Sequence, residues 1–252
     1  IDTGVDTSMP SIKNNIVQEV CFTLNGSCPN KSTSQVGLGA ATITPAMYSN
    51  TQWSHGTEVV SAAVQTDPNV KIIAIRCAQL VGTNGFINCT DDMLKNSLDW
   101  VAANKNLYNI GAVVAPLSKA SPIGGTTPLA CNTTYSYVNS IKNLVSMGMP
   151  VIFPTGNEFN YANVDNPACL PGVLAISAID NVGRLALYAN YSSRVDFAAL
   201  GNLNVLVPGG ATKADTGTSF SVAVFGADWV RIANAKNLSY TDEYNLSLIH
   251  IS

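Results

Sequence analysis

Short apolar runs alternate along this chain with stretches of helical period, and this alternation most constrains what it can fold into. Val-Lys-Ile-Ile-Ala-Ile-Arg, from Val70 to Arg76, is dense in β-branched residues and reads as a strand. Ile110 to Ala115, Pro150 to Phe153 and Val173 to Ala178 read the same way and are nearly continuous in apolar residues, as in strands covered on both faces. A helix is expected to follow His55 through Val59, Val60 and Ala63. Another runs from about Asp91 to Ala103, with Thr90 as its cap and Met93, Leu94, Leu98 and Val101 on one face. A third covers about Ser136 to Met147, and the last begins near Ser219 and reaches about Ala233. Strands alternating with helices predict an α/β fold of three layers, α/β/α, around a mostly parallel sheet. The segment from Pro10 to Trp53 breaks the pattern. It is rich in Asn, Ser, Thr, Gly and Pro, and reads as a long surface insertion.

Of the 252 residues, 46% are hydrophobic and 12% charged, a globular balance that excludes a disordered chain. The net charge of −3 comes with no basic stripe, so no nucleic-acid partner is expected, and no apolar run reaches membrane-spanning length. Six cysteines without a C-x-x-C pair, beside only two histidines, favour disulfides and an oxidising compartment over a zinc site. Six buried thiols in a cytosolic protein are the alternative. Ile1 falls within what reads as a buried strand, so the chain is expected to be cut there. Leu246 to Ser252, Leu-Ser-Leu-Ile-His-Ile-Ser, matches the translation of a transposon-end sequencing adapter and is set aside. The expectation is one domain over residues 1–245, with His55 its one native imidazole.

Four local patterns carry polar groups toward the carboxyl ends of strands, where α/β sheets collect their working residues. Asp2 lies in Ile-Asp-Thr-Gly, after an apolar residue and before a glycine turn; the same pattern suits a plain turn former. His55 opens a helix in Ser-His-Gly-Thr, where a structural histidine would also fit. Asn157 follows a buried strand in Pro-Thr-Gly-Asn and can donate into a cleft, or simply end a turn. Ser219, in Gly-Thr-Ser-Phe-Ser, stands at a helix N-terminus, either as a cap or as a nucleophile beside free N–H groups. Together, in the order Asp, His, Asn, Ser, these four resemble the motifs of the subtilisin-like serine proteases, whose triad runs Asp–His–Ser along the chain. Asn166 to Ala178 resembles the strand that follows the oxyanion asparagine in that family, and the likeness extends from Ile1 to about Asn234.

The resemblance implies a secreted serine endopeptidase. Ser219 would attack a peptide carbonyl, His55 would act as base, Asp2 would orient it, and Asn157 would bind the oxyanion. Pro116, Leu117 and Ser118 would pair with substrate in place of the family's Ser-Leu-Gly-Gly. Pro116 has no N–H to donate, and Lys119 follows as a possible influence on specificity. Thr155, Gly156 and Asp165 would line the substrate site. Asp165 aligns near the floor of the pocket before the scissile bond, where an acid would favour Lys or Arg; because the alignment needs a gap between Asn157 and Pro167, a solvent-facing loop acid is the preferred reading and the pocket acid the alternative. Glu58 stands where a second histidine is frequent, and the proline usual after the serine is missing. The cysteines would pair as Cys21–Cys28, Cys77–Cys89 and Cys131–Cys169. No cofactor is implied for the chemistry. Structural calcium is common in the family, but no calcium loop can be matched here. Expected partners are a protein substrate and the chain's own pro-segment, and the expected state is a monomer. Sequons at Asn25, Asn30, Asn88, Asn132, Asn190 and Asn237 suggest glycosylation. Two other readings remain: a catalytically inactive extracellular binding module on the same fold, and an esterase or other α/β hydrolase. The latter would need a G-x-S-x-G elbow with histidine last in the chain, which Ser219 and His55 do not supply.

Overall fold

The structure, a computed structural model, describes residues 1–82, 85–236, 238, 241 and 242. The adapter-like segment Leu246–Ser252, with His250, and the sequon at Asn237 lie outside the described residues. In chain order the elements are α1 (Pro10–Lys13), β1 (Ile16–Phe22), β2 (Ser34–Val36), α2 (His55–Thr66), β3 (Ile72–Arg76), β4 (Gln79–Val81), β5 (Phe86–Asn88), α3 (Asp91–Asn104) and β6 (Val113–Val114). They continue with α4 (Val138–Ser146), β7 (Val151–Pro154), β8 (Leu174–Ile179), β9 (Phe197–Leu200), β10 (Asn202–Leu206), β11 (Thr212–Thr216) and α5 (Thr218–Lys236).

Strands β6, β7, β8 and β9 form a parallel sheet in that order, and β1 pairs in parallel with β3 and antiparallel with β2. The first two residues join the halves. The Asp2 N–H donates to the Ile75 carbonyl at 2.9 Å, and the Ile1 amine donates to the Val114 carbonyl at 2.8 Å. The resulting order is β2-β1-β3, then Ile1–Asp2, then β6-β7-β8-β9.

Side-chain alternation distributes the core. Val151 and Phe153 point into a cluster with Leu94, Leu98 and Val101 of α3 and Ile141 and Leu144 of α4. Ile152, between them, joins Leu174, Ile176, Val222 and Trp229 on the α5 side. On that same side Val59 and Ala62 of α2 pack against Phe220 and Ala223 of α5, which brings the two helix N-termini together. This is the three-layer architecture expected from the sequence. Thr90 caps α3 through its side chain, as its position before Asp91 implied. The strand at Ile110–Ala115 shrinks to Val113–Val114.

The reading of Pro10–Trp53 as a surface insertion needs correction. Ile16–Phe22 is a strand of the main sheet, and Ile12, Val20, Ile43 and Trp53 are core residues. A buried acid disguised the strand. Glu19 takes hydrogen bonds from the Gly39 and Ala41 N–H groups and the Thr42 hydroxyl, so a charge sits where alternation would call for an apolar residue.

All three expected disulfides form, Cys21–Cys28, Cys77–Cys89 and Cys131–Cys169. The last links residues 38 apart, so it restrains the unfolded chain most. Replacing Cys131 and Cys169 together by alanine is expected to lower unfolding free energy by about 3–4 kcal/mol, measured by urea denaturation, and more than replacing either other pair.

Candidate active site

The Asp2 backbone is fixed between the sheet halves, and its carboxylate is directed at the N-terminus of α2. His55 Nδ1 lies 2.9 Å and 3.0 Å from the two Asp2 carboxylate oxygens. Glycine permits this approach. A Cβ on Gly56 would come within 2.2 Å of the Gly4 carbonyl oxygen, and Gly4 itself has φ of +112°. The threonine between Asp2 and Gly4 locks the two motifs together, since the Thr3 hydroxyl accepts from the Gly56 N–H and donates to the Trp53 carbonyl. The short sequences around Asp2 and His55 are thus two sides of one contact.

Burial disfavours a charged His55 imidazole, but the charge and hydrogen bond of Asp2 outweigh it. With Glu58 and Asp215 adding their fields, they hold the pKa above its usual 6.5. Glu58 is buried, and accepts from the Ser54 hydroxyl at 2.6 Å and from Lys213 Nζ at 3.2 Å. Lys213 also pairs with Asp215 at 2.8 Å, so the β10–β11 hairpin is clamped beside the histidine.

Ser219 is half-buried at the second position of α5. Among the described residues no hydrogen bond joins its hydroxyl to His55. Asn157 is exposed beyond the end of β7, and its Oδ1 accepts from both the Thr218 N–H at 2.9 Å and the Thr218 hydroxyl at 3.0 Å. Those two donors fix which end of the amide is which. The Asn157 Nδ2 and the Ser219 N–H then flank one point beside Gly217, at 3.9 Å and 3.8 Å from an ideal Cβ there. Two nitrogens of the kind that stabilise an oxyanion therefore lie near one point at the start of α5.

On the expected substrate side, Pro116 is buried, Leu117 half-buried and Ser118 exposed. Lys119 N–H bonds to the Asn166 carbonyl at 2.7 Å, while its ammonium pairs with Asp91 at 2.8 Å and lies over the Tyr135 ring. Its charge is engaged with α3. Thr155 and Gly156 are buried below Asn157. Asp165 is 0% exposed, which corrects the reading of a solvent-facing acid. Burial, with the charge of Glu158 adding to it, pushes its pKa up to about 6 even though the Ser121 N–H donates to Oδ1 at 2.7 Å. Asn190 is also 0% exposed, so its sequon is not an accessible one. Its contacts with the Asn157 loop had no local signature in the sequence. Among the described residues no three His, Cys, Asp or Glu side chains converge as metal ligands. No helix among them is long and apolar enough to cross a membrane.

The subtilase family model matches residues 1–243. Among curated proteins the chain is 29% identical over 169 residues to "Subtilisin-like serine protease Pen ch 13" of Penicillium rubens, covering 66% of this chain and 40% of that protein. It is 26% identical over 205 residues to "Thermophilic serine proteinase" of Bacillus sp. (strain AK1), covering 80% and 42%. The chain thus spans less than half the length of these relatives. Among solved structures, "Sphericase" superposes with a TM-score of 0.72 at 19% identity, over 97% of this chain and 79% of the other. A cold adapted subtilisin-like serine proteinase gives 0.64 at 18%, over 97% and 78%. Both support the fold.

NMR titration of the His55 imidazole is expected to give a pKa above 6.5, because the folded state favours the charged form. Asp2→Asn should lower it most and Glu58→Gln to a lesser degree, since Glu58 contributes charge without a direct bond to the ring.

Proposed function

The chain belongs to the subtilase family, and from that premise we propose that it is a serine endopeptidase working outside the cytosol. One observation carries this reading: the Asp2–His55 pair stands at the helix end that packs against α5, where the Asn157 amide and the Ser219 N–H flank one point. Ser219 Oγ attacks the carbonyl carbon of a peptide bond while His55 Nε2 takes its proton. Asp2 holds Nδ1–H and stabilises the imidazolium. Asn157 Nδ2 and the Ser219 N–H bind the oxyanion. As the C–N bond breaks, His55 returns the proton to the leaving amine. Water, deprotonated by the same histidine, then releases the acyl group. The missing Ser219–His55 hydrogen bond is compatible with this, because such contacts often tighten only with substrate bound.

Substrate is proposed to lie along Pro116, Leu117 and Ser118, with Thr155 and Gly156 opposite and Asp165 beneath. Among the described residues Asp165 Oδ2 and Thr155 Oγ1 are buried without a hydrogen-bond partner, which supports a preference for Lys or Arg before the scissile bond. Three disulfides support an oxidising compartment, and a monomer assisted by its own pro-segment completes the reading.

A fluorophosphonate probe should label the protein covalently, and Ser219→Ala should abolish the labelling. An inactive binding module would not label at all, and labelling that survives Ser219→Ala would overturn the nucleophile. Asn157→Ala should lower kcat by about 10²–10³-fold, a scale borrowed from a subtilisin. A panel of peptide anilides should give higher kcat/KM for Arg than for Phe before the cleaved bond. Equal values would remove Asp165 from the specificity pocket.

A further inference from the structure

The Asn157 loop is held by a buried amide that no catalytic motif contains. We propose that Asn190 is a positioning residue for the oxyanion donor, acting through Glu158 and bracing the loop against Asp165. This rests on the reading of Asn157 as that donor.

All four hydrogen-bonding positions of the Asn190 side chain are used. Its Oδ1 accepts from the Glu158 N–H at 2.9 Å and the Asn160 N–H at 3.0 Å. Its Nδ2 donates to Glu158 Oε2 at 2.6 Å and to Asp165 Oδ1 at 3.0 Å. Glu158 Oε2 in turn accepts from the Asn157 N–H at 2.9 Å. The Asn190 backbone N–H adds a bond to the Gly156 carbonyl at 3.0 Å. The loop carrying Asn157 is therefore tied at Asn157, Glu158 and Asn160 to the Asn190 side chain or to its partner Glu158, and at Gly156 to the Asn190 backbone, a bond that N190A leaves in place.

Only a primary amide of this length satisfies the arrangement. It must supply two N–H donors to two carboxylates while accepting from two backbone N–H groups. Aspartate would accept but not donate, and would add a third carboxylate to the pair. Gly156 has no room for another atom, because a Cβ there would lie 2.3 Å from Asn190 Nδ2 and 2.4 Å from Asp165 Oδ2. The loop rests directly on the brace, so a shift in the brace moves the neighbouring Asn157. Oxyanion stabilisation depends on donor placement at the ångström level, and such a shift should lower kcat more than it raises KM.

The test is peptide-anilide kinetics and amide hydrogen exchange on wild type, N157A, N190A and the double variant. N190A is expected to lower kcat by about tenfold or more with KM within about threefold, and to speed exchange at Glu158 and Asn160. In the double variant, kcat should match N157A alone within about threefold, because both changes remove the same interaction. Full additivity, or wild-type kcat and exchange in N190A, would overturn the proposal. Unchanged kcat in N157A would instead overturn the oxyanion reading and with it the catalytic role of the brace, while faster exchange in N190A would still support the brace itself. Should N190A fail to fold, Glu158 carries the same test. Glu158→Gln keeps an acceptor for both partners and should retain kcat, whereas Glu158→Ala should lose it. Equal behaviour of those two variants would also overturn the proposal.

Discussion

Everything at the candidate active site hangs on two residues of backbone. Ile1 and Asp2 bridge the two halves of the sheet, with Asp2 N–H on Ile75, the Cys77 N–H on the Asp2 carbonyl, and the Ile1 amine on Val114. The same three bonds therefore fix the sheet's continuity and the position of the acid that orients His55. Lost pairing at this seam would separate the sheet halves and displace the Asp2 carboxylate in one event.

From that seam the site is assembled by helix ends. α2 brings His55 to Asp2, and α5 brings Ser219 to the same end because Val59 and Ala62 pack on Phe220 and Ala223. Apolar packing sets the coarse approach, and hydrogen bonds set the fine one. Thr3 bridges Gly56 and Trp53, Thr218 orients the Asn157 amide, and Asn190 holds the loop behind it. The acids near His55 follow the same economy of placement. Glu58 and Asp215 share Lys213, so the charge that favours the imidazolium is partly compensated on the hairpin side.

The four motifs and the three-layer architecture were legible in the sequence because each is a local demand. Glycines, caps and alternating apolar runs leave their mark within a few residues. What escaped was non-local or disguised. Strand β1 was hidden by Glu19, whose charge is satisfied by a loop some twenty residues downstream. The burial of Asp165 comes from packing under Gly156 and from Asn190, 25 residues away, and nothing near Asp165 in the chain announces it. Asn190 read as a sequon because Asn-Tyr-Ser is also what a surface acceptor looks like. Only its burial tells the two apart.

The glycines of the motifs also bear on how far the motifs argue for chemistry. Gly4 has the Ala41 carbonyl within 2.6 Å of its missing Cβ, Gly56 has the Gly4 carbonyl at 2.2 Å, and Gly156 has Asp165 at 2.4 Å. These are packing constraints that a protein without catalytic turnover would need just as much. Matching glycines therefore report that the backbones approach as the fold requires. The groups that separate a protease from a silent scaffold are the ones packing does not demand. Asn157 is exposed, and its amide is held by Thr218 rather than by the core. Ser219, at the second position of α5 and so inside the helix, leaves its hydroxyl without a protein partner among the described residues. Packing demands neither the Ser219 hydroxyl nor the Asn157 amide, so these two side chains, and not the glycines, are where turnover is decided on the proposed reading.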